Sequence, residues 1–198
     1  MKREDIIKMA QWAYDHEYGS ITLQSGERSD AAFVDYVVDL IREIKSIGDG
    51  SLGITMCVGE QTEESYRRMV EAGASRYLLR IETSNPELYK KIHPNDELHS
   101  FETRVNCLKS LRKVGFQVGT GVMIGLPHQT EEDLVNDILF YRDMDIDMIG
   151  MGPYVVHHDT PLGQEALAMG IDDEAGQKTS YSAGAQDDCV DPLILKRR

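Results

Sequence analysis

The sequence is poor in cysteine and in basic residues, and each shortage excludes a class of protein. It has three cysteines in 198 residues, at positions 57, 107 and 189, and an odd, widely spaced set does not form a disulfide framework. Lys and Arg number 21 against 34 Asp and Glu, which gives a net charge of −13. Nucleic-acid backbones and anionic membranes bind clustered basic side chains, so neither is an expected partner.

Long apolar runs are also missing. No stretch approaches the roughly 18 apolar residues of a membrane helix, and the charged start Met1–Ile7 differs from a signal peptide. The composition, 41% hydrophobic and 28% charged, is typical of a globular domain. We therefore expect a soluble cytoplasmic chain, or a chain of an organelle matrix if a targeting segment precedes Met1.

Residues 1–170 alternate between two apolar patterns. Helical stripes separate five short apolar runs, which predict strands near residues 20–24, 52–58, 77–81, 116–124 and 146–151. This alternation is typical of βα units around a parallel sheet, whose post-strand loops share one edge. We predict an α/β fold, a partial parallel βα barrel of about five units over residues 1–170. Residues 171–198 are polar and acidic up to a short apolar patch at Pro192–Leu195, and predict a disordered or loosely packed tail.

Three post-strand segments carry groups that suit a small ligand. Gly26 permits a close approach, and the carboxylate of Glu27 can accept hydrogen bonds from an ammonium group, although a plain turn explains both residues. Alternation sends Arg80 and Glu82 to the same side, where they suit a zwitterion or form an internal salt bridge. The small residues of Gly119–Gly125 allow a flat group such as a nucleoside base to pack against the strand.

Several segments also match one enzyme family in the same order along the chain. They are Leu23–Glu27, Glu71–Thr83, Phe101–Leu108, Gly121–Pro127 and Asp147–Pro153 with Asp159–Pro161. In these segments the chain resembles radical S-adenosylmethionine (SAM) enzymes. It is most similar to the iron-only (FeFe) hydrogenase maturase E type, with biotin synthase and methylornithine synthase as relatives.

The resemblance implies SAM and a 4Fe–4S cluster as cofactors and a small-molecule substrate. Residues 25–27 match the Gly-Gly-Glu motif that holds the methionine amino group. Arg80, Glu82 and Arg104 match charged residues that surround SAM in this type, with Arg104 pairing with the SAM carboxylate. Residues 121–125 match the strand that lies along the adenine. The implied cofactor-binding residues are Ser25, Gly26, Glu27, Arg80, Glu82, Arg104, Gly121, Ile124 and Gly125.

The chain departs from this family at the cluster. The family holds three irons with a Cys-x-x-x-Cys-x-x-Cys loop after its first strand, and the sequence contains no such triad. The first helix resembles the one that follows that loop, so the loop and strand one are expected before Met1. We therefore assign no catalytic and no metal-binding residue, and expect a truncated, catalytically incomplete enzyme of hydrogenase cofactor (H-cluster) assembly, with other maturation proteins as possible partners.

Two other functions stay open. A non-catalytic α/β module could bind a small molecule or a protein partner. A biotin-synthase-like enzyme would need further cluster ligands inside the barrel, where the predicted strands offer only Cys57.

Overall fold

The computed structural model of the protein describes residues 1–94 and 96–171. Apart from Ile171, the tail predicted from residue 171 lies outside the described residues. No helix within the described ranges is both long enough and apolar enough to cross a membrane.

The described residues form seven helices and five strands, which alternate except where two helices follow one another between the third and fourth strands. The helices are α1 (Arg3–Asp15), α2 (Ala31–Lys45), α3 (Glu63–Ala72), α4 (Pro86–Ile92), α5 (Phe101–Val114), α6 (Glu131–Asp143) and α7 (Pro161–Ala168). The strands are β1 (Ser20–Gln24), β2 (Gly53–Cys57), β3 (Arg76–Leu78), β4 (Gln117–Ile124) and β5 (Met148–Pro153). They form one parallel sheet in the order β1-β2-β3-β4-β5. The predicted α/β class and strand count are confirmed.

Two elements differ from the sequence prediction in their bounds or their presence. Strand β3 ends at Leu78, before the predicted end at residue 81, and Glu82 instead forms an isolated bridge with Val122. Helix α7 was not predicted, although Thr160 caps it by accepting a hydrogen bond from the Gly163 N–H at 3.0 Å. Thr followed by Pro is a helix-start signal that the sequence does carry.

The chain divides into two compact units. The first comprises residues 1–79 and 103–118. In it, β1 pairs with β2 in register from Ser20↔Gly53 to Gln24↔Cys57. Local signals set its helix ends: Thr62 caps α3, and Gly73 ends that helix in the left-handed conformation (φ 115°). Its core contains fully buried side chains from the sheet and from the helices, among them Val38, Ile41, Ile44, Ile54, Met56, Tyr66, Met69, Tyr77 and Leu111.

Of the described residues, the second unit comprises 80–94, 96–102 and 119–171. Strands β4 and β5 pair in register from Gly119↔Met148 to Ile124↔Pro153. Leu88, Leu126, Tyr154 and Ala166 form a buried apolar cluster, which joins α4 and α7 to the loops that follow β4 and β5.

The side of helix α6 that is buried is not the apolar side that its sequence predicts. Its apolar residues predict a buried stripe that includes Val135, Ile138 and Leu139, but these side chains are exposed. The buried positions are instead Asp133, Asp137 and Tyr141. The helix therefore directs a polar stripe toward the interior of its unit.

The pairing of β4 with β5 depends on the absence of a side chain at residue 121. Gly121 lies opposite Gly150. A Cβ at Gly121 would overlap the carbonyl group of Gly150, whose carbon would lie 2.7 Å away. Contact between the two strands is thus sufficient to explain Gly121.

We expect Gly121→Ala to lower the free energy of unfolding by about 3 kcal/mol, because the new methyl group must push the two strands apart. The matched control is Gly152→Ala on β5, where a Cβ meets no atom within 4 Å. That change should cost less than about 1 kcal/mol. Chemical denaturation of both variants measures the difference, and equal losses would contradict the strand-contact explanation.

Candidate functional site

In the first unit, the segment after β1 places a carboxylate near the surface. Ser25 continues the strand pairing, with its N–H donating to the Cys57 carbonyl at 3.2 Å. Gly26 borders open space, since a Cβ there would meet nothing within 4 Å. The side chain of Glu27 keeps 39% of its surface exposed. A ligand can therefore reach this carboxylate.

A glycine on the neighbouring loop makes room for Glu27. Gly59 follows β2 in the left-handed conformation, with φ 76°. A Cβ at this position would lie 2.6 Å from Cγ and 2.7 Å from Cβ of Glu27. A larger residue at 59 would displace the Glu27 side chain, so Gly59 positions the candidate ligand group.

A buried arginine lies beside this carboxylate. Arg104 projects from α5 with 6% of its side chain exposed. Its Nε atom lies 2.6 Å from Oε1 of the buried Glu60, and its Nη2 atom lies 3.4 Å from Oε1 of Glu27. Two carboxylates thus contact one guanidinium, and the more accessible of the two is Glu27. The group can therefore accept a cation.

Buried hydroxyl groups hold the loop that carries Glu60. The Tyr77 hydroxyl donates to the Gly59 carbonyl at 2.7 Å, and the Tyr66 hydroxyl accepts from the Gln61 N–H at 3.0 Å. Burial raises the pKa of both tyrosines above the ordinary value, so the hydroxyls stay protonated. Hydrogen bonds to two neutral tyrosine hydroxyls thus fix the loop after β2.

Sequence reasoning missed Glu60, although a signal for it exists. The pair Gly59-Glu60 follows the end of β2 by the same spacing at which Gly26-Glu27 follows β1. Because Gln24 is in register with Cys57, the two Gly-Glu pairs follow equivalent strand ends. A repeated Gly-Glu after adjacent parallel strands was the available indication.

In the second unit, Arg80 and Glu82 form a double hydrogen bond. Arg80 donates from Nε to Oε1 at 2.8 Å and from Nη2 to Oε2 at 3.1 Å, and Nη2 also lies 3.0 Å from the Val122 carbonyl. Both side chains are partly exposed, at 32% and 20%. They lie on the same side while Ile81 is fully buried, as alternation predicts. This geometry is equally consistent with a pair that contacts a ligand and with a salt bridge that only stabilises the fold.

The backbone of Glu82 is unusual for a residue with a side chain. Its φ is 60°, in the left-handed region. Its N–H donates to the Gly121 carbonyl at 2.8 Å, and its carbonyl accepts from the Met123 N–H at 3.1 Å. Such strain persists where surrounding contacts fix the backbone, and it is common at functional sites.

Two acids of α6 provide part of that fixation. Asp137, which is 1% exposed, accepts from the Ser84 N–H at 2.6 Å, and Asp133 accepts from Asn85 Nδ2 at 2.7 Å. Burial raises the pKa of Asp137. Burial also raises that of Asp133, but hydrogen bonds from Asn85 and Thr130 outweigh it and leave the pKa lowered overall. Helix α6 therefore fixes Ser84 and Asn85, which lie two and three residues after Glu82.

The remaining predicted residues lie on or after β4. Gly121 and Ile124 are buried in the strand. Gly125 turns the chain at φ 87°, and its N–H donates to Oε1 of Gln129 at 2.7 Å. Gln129 also donates to the Met123 carbonyl at 2.9 Å, so this side chain closes the loop. Their contact with an adenine ring stays a prediction.

The structure thus brings Glu27 and Arg104 together in one unit, and Arg80 and Glu82 in the other. The predicted approach of the two pairs to each other stays a prediction. Ser25, Gly26 and Gly125 lie in loops after strands, and Gly121 and Ile124 lie in β4.

Comparison with known proteins identifies the family. The family model described as the radical SAM superfamily matches residues 1–141. The chain belongs to the radical SAM superfamily. It is 45% identical over 166 residues to the [FeFe] hydrogenase maturase subunit HydE of Thermotoga maritima, which covers 83% of this chain and 45% of that protein. It is 30% identical to the biotin synthase of Geobacillus thermodenitrificans, over 82% of this chain and 47% of that protein.

The solved structures agree on the fold. The crystal structure of methylornithine synthase (PylB) superposes with a TM-score of 0.68 at 22% identity, over 80% of this chain and 46% of that one. The predicted partial radical SAM barrel is confirmed. Members of the superfamily use SAM and a 4Fe–4S cluster. The chain spans about half the length of the curated relatives it matches.

The described cysteines do not fit such a cluster. Cluster irons bind thiolates that lie close together. Cys57 is on β2 and Cys107 on α5. Burial raises the pKa of Cys107, which favours the protonated thiol over the thiolate that iron binds. No third cysteine falls within residues 1–94 and 96–171.

The pH dependence of stability tests the assignment of Asp137. A carboxyl group whose pKa is raised on folding stabilises the folded state fully below its unfolded pKa, near 3.8. That contribution is lost as the pH rises through the folded pKa. Asn at this position cannot titrate, so we expect Asp137→Asn to gain stability relative to the parent chain between about pH 4 and pH 7.

Urea unfolding at several pH values measures this gain. The control is Asp143→Asn, which removes an exposed carboxylate from the same helix, and it should show a smaller change. A difference between Asp137→Asn and the parent that stays constant over this range would contradict a raised pKa at Asp137.

Proposed function

We propose that this chain carries the SAM-binding part of a radical SAM enzyme of the HydE type, which acts in the assembly of the [FeFe]-hydrogenase cofactor. The identity of 45% to the HydE subunit, against 30% to a biotin synthase, favours maturation over sulfur insertion. On this proposal the substrate is a small molecule, and other hydrogenase maturation proteins are its partners.

The arrangement around Arg104 is the observation that carries the proposal. The methionine part of SAM presents an ammonium group and a carboxylate. Glu27 contacts the same guanidinium as the buried Glu60 but keeps 39% of its side chain exposed, so its carboxylate can accept the ammonium. The guanidinium of Arg104 would orient the ligand carboxylate. Two carboxylates beside one guanidinium suit a molecule whose sulfonium centre is also positive.

The second unit carries, within itself, groups of the kind that bind a nucleoside. The Arg80–Glu82 pair offers charged hydrogen-bonding groups at 20–32% exposure, which suits ribose hydroxyls. The β4 segment from Gly121 to Gly125 would lie along the adenine. In this assignment Asp133 and Asp137 act on Glu82 through Ser84 and Asn85, so they are positioning residues.

Cleavage of SAM requires an electron, which the 4Fe–4S cluster supplies in this superfamily. The described cysteines do not fit that cluster, so the proposal for this chain is limited to binding and orienting SAM. A non-catalytic small-molecule module would share that binding, and the tests below separate it from an unrelated protein-binding module.

Binding of SAM tests the role of Glu27. We expect Glu27→Gln to weaken SAM binding about tenfold, because the ammonium group loses a charged acceptor. Binding of 5′-methylthioadenosine, which lacks the ammonium and the carboxylate, should change less than about twofold. Isothermal titration calorimetry measures both ligands.

The matched control is Glu43→Gln. Its side chain is 43% exposed and, like Glu27, is paired with an arginine. It should leave both affinities unchanged. Absence of SAM binding to the parent chain, or equal affinity in Glu27→Gln, would contradict the proposed function.

Cluster assembly gives a separate prediction. After anaerobic incubation with iron and sulfide, we expect less than one 4Fe–4S cluster per chain and no 5′-deoxyadenosine from SAM, because the described cysteines lie on separate elements and the sequence has no Cys-x-x-x-Cys-x-x-Cys loop. Iron analysis and product chromatography measure these quantities. Formation of 5′-deoxyadenosine that is lost in Cys57→Ala or Cys107→Ala would show that this view of the cysteines is wrong.

A further inference from the structure

Helix α6 exposes an apolar surface that the fold does not cover. Val135, Ile138 and Leu139 are 55%, 61% and 39% exposed, and Leu134 is half-buried beside them. We call these four residues the α6 apolar face. Contiguous apolar surface of this kind marks an interaction site more often than scattered exposed residues do.

A cavity begins at one end of this face. It has a volume of about 290 Å³, and its lining includes Leu126, Glu131, Leu134 and Ile171. Ile171 packs against the buried cluster of its unit, and its N–H donates to the Ala166 carbonyl at 2.9 Å. The last described residue of the chain, Ile171, therefore lies in the wall of this cavity.

The residues that follow include a segment of matching chemistry. Residues 193–195 are Leu, Ile and Leu, and residues 196–198 are Lys, Arg and Arg. The first turn of α6 carries Glu131 and Glu132, both exposed. Within the part of the chain that the structure describes, neither carboxylate takes part in an ion pair. An apolar stretch followed by three positive charges is thus complementary to an apolar face that follows two negative charges.

We propose that Pro192–Arg198 docks on the α6 apolar face of its own chain. Leu193 to Leu195 cover Val135, Ile138 and Leu139, and Lys196 lies beside Glu131 and Glu132. The intervening residues 172–191 can span up to about 65 Å when extended, which is ample for a site that starts at Ile171. The tether also raises the local concentration of the segment to about the millimolar range, so weak contacts suffice.

A larger apolar groove in the first unit is a poorer match. It has a volume of about 760 Å³ and is lined by residues of α1, β1 and α2, including Met9, Trp12 and Tyr36. Its charged lining residue is Lys8, and no carboxylate lines it. It would repel the cationic end of the segment, whereas the start of α6 attracts it.

Zero-length carbodiimide cross-linking of the full chain tests the proposal. This reagent joins a lysine amine to a carboxylate that it contacts, and peptide mass spectrometry locates the bond. We expect Lys196 linked to Glu131 or Glu132. In a mixture of ¹⁴N and ¹⁵N chains, both halves of each linked peptide should carry the same isotope.

Variants of both partners check the contact. Ile138→Ser should lower the yield of this cross-link about fivefold or more, because the segment loses an apolar contact. The double change Leu193→Ser and Leu195→Ser should do the same without altering any described residue. The matched control is Met9→Ser in the groove of the first unit, where Met9 is 59% exposed, and it should leave the yield unchanged.

Three results would overturn the proposal. The first is a preference of Lys196 for carboxylates outside α6. The second is a cross-link of mixed isotopes, which would place the segment on a second copy. The third is a yield that falls in Met9→Ser and persists in Ile138→Ser. Thermal unfolding of each variant verifies that the fold is retained, and none of these results depends on SAM binding.

Discussion

The burial of Arg104 is the constraint on which the first unit depends. A guanidinium group removed from water needs a compensating charge and hydrogen bonds, because its desolvation costs several kcal/mol. Glu60 supplies that charge at 2.6 Å, and the loop that carries Glu60 is fixed in turn by the hydroxyls of Tyr66 and Tyr77. The absence of a Cβ at Gly59 then admits Glu27 to the same group. The accessible negative charge is a consequence of this chain of contacts.

In the second unit, helix α6 provides the hydrogen bonds that hold the loop after Glu82. Thr83, Ser84 and Asn85 follow a residue in the left-handed conformation, and their backbone and side-chain groups need partners. Asp133 and Asp137 provide them from α6, one helical turn apart. A helix that directs acids inward cannot also bury its leucines and isoleucine, since these lie on its other faces. The exposed α6 apolar face therefore follows from the way the loop after Glu82 is held.

The comparison of sequence and structure separates local from tertiary information. Helix ends at Thr62, Gly73 and Thr130 were predictable because capping depends on a few neighbouring residues. The family resemblance assigns Glu27 and Arg104 to one ligand, and the structure brings these side chains within 3.4 Å of each other, while their contact with SAM stays a prediction. The inward side of α6 was not predictable, because its amphipathic pattern suggested the opposite face, and tertiary hydrogen bonds decided it.

Register also limited what the sequence could reveal. Glu60 becomes a site residue only when Gln24 is known to lie opposite Cys57, which makes the two Gly-Glu pairs equivalent. Similarly, the Ile81 N–H donates to the Thr120 hydroxyl, a bond between positions 39 apart that no local sequence pattern predicts. The number of strands is encoded in short apolar runs, but the side chains that meet at their ends depend on how those runs are aligned.

Ligand binding and radical chemistry rest on different residues in this chain. The groups that suit a zwitterion are carboxylates and a guanidinium whose positions are fixed by buried hydrogen bonds within one unit. An electron source needs thiolates, and the described thiols lie on separate elements, with the buried Cys107 favoured in its protonated form. Because the first set does not use the second, the proposed binding of SAM and the cleavage of SAM in the superfamily need different residues. An effect of Glu27 on affinity would therefore measure the contribution of the protein side chains to SAM recognition without the iron that also binds it in this superfamily.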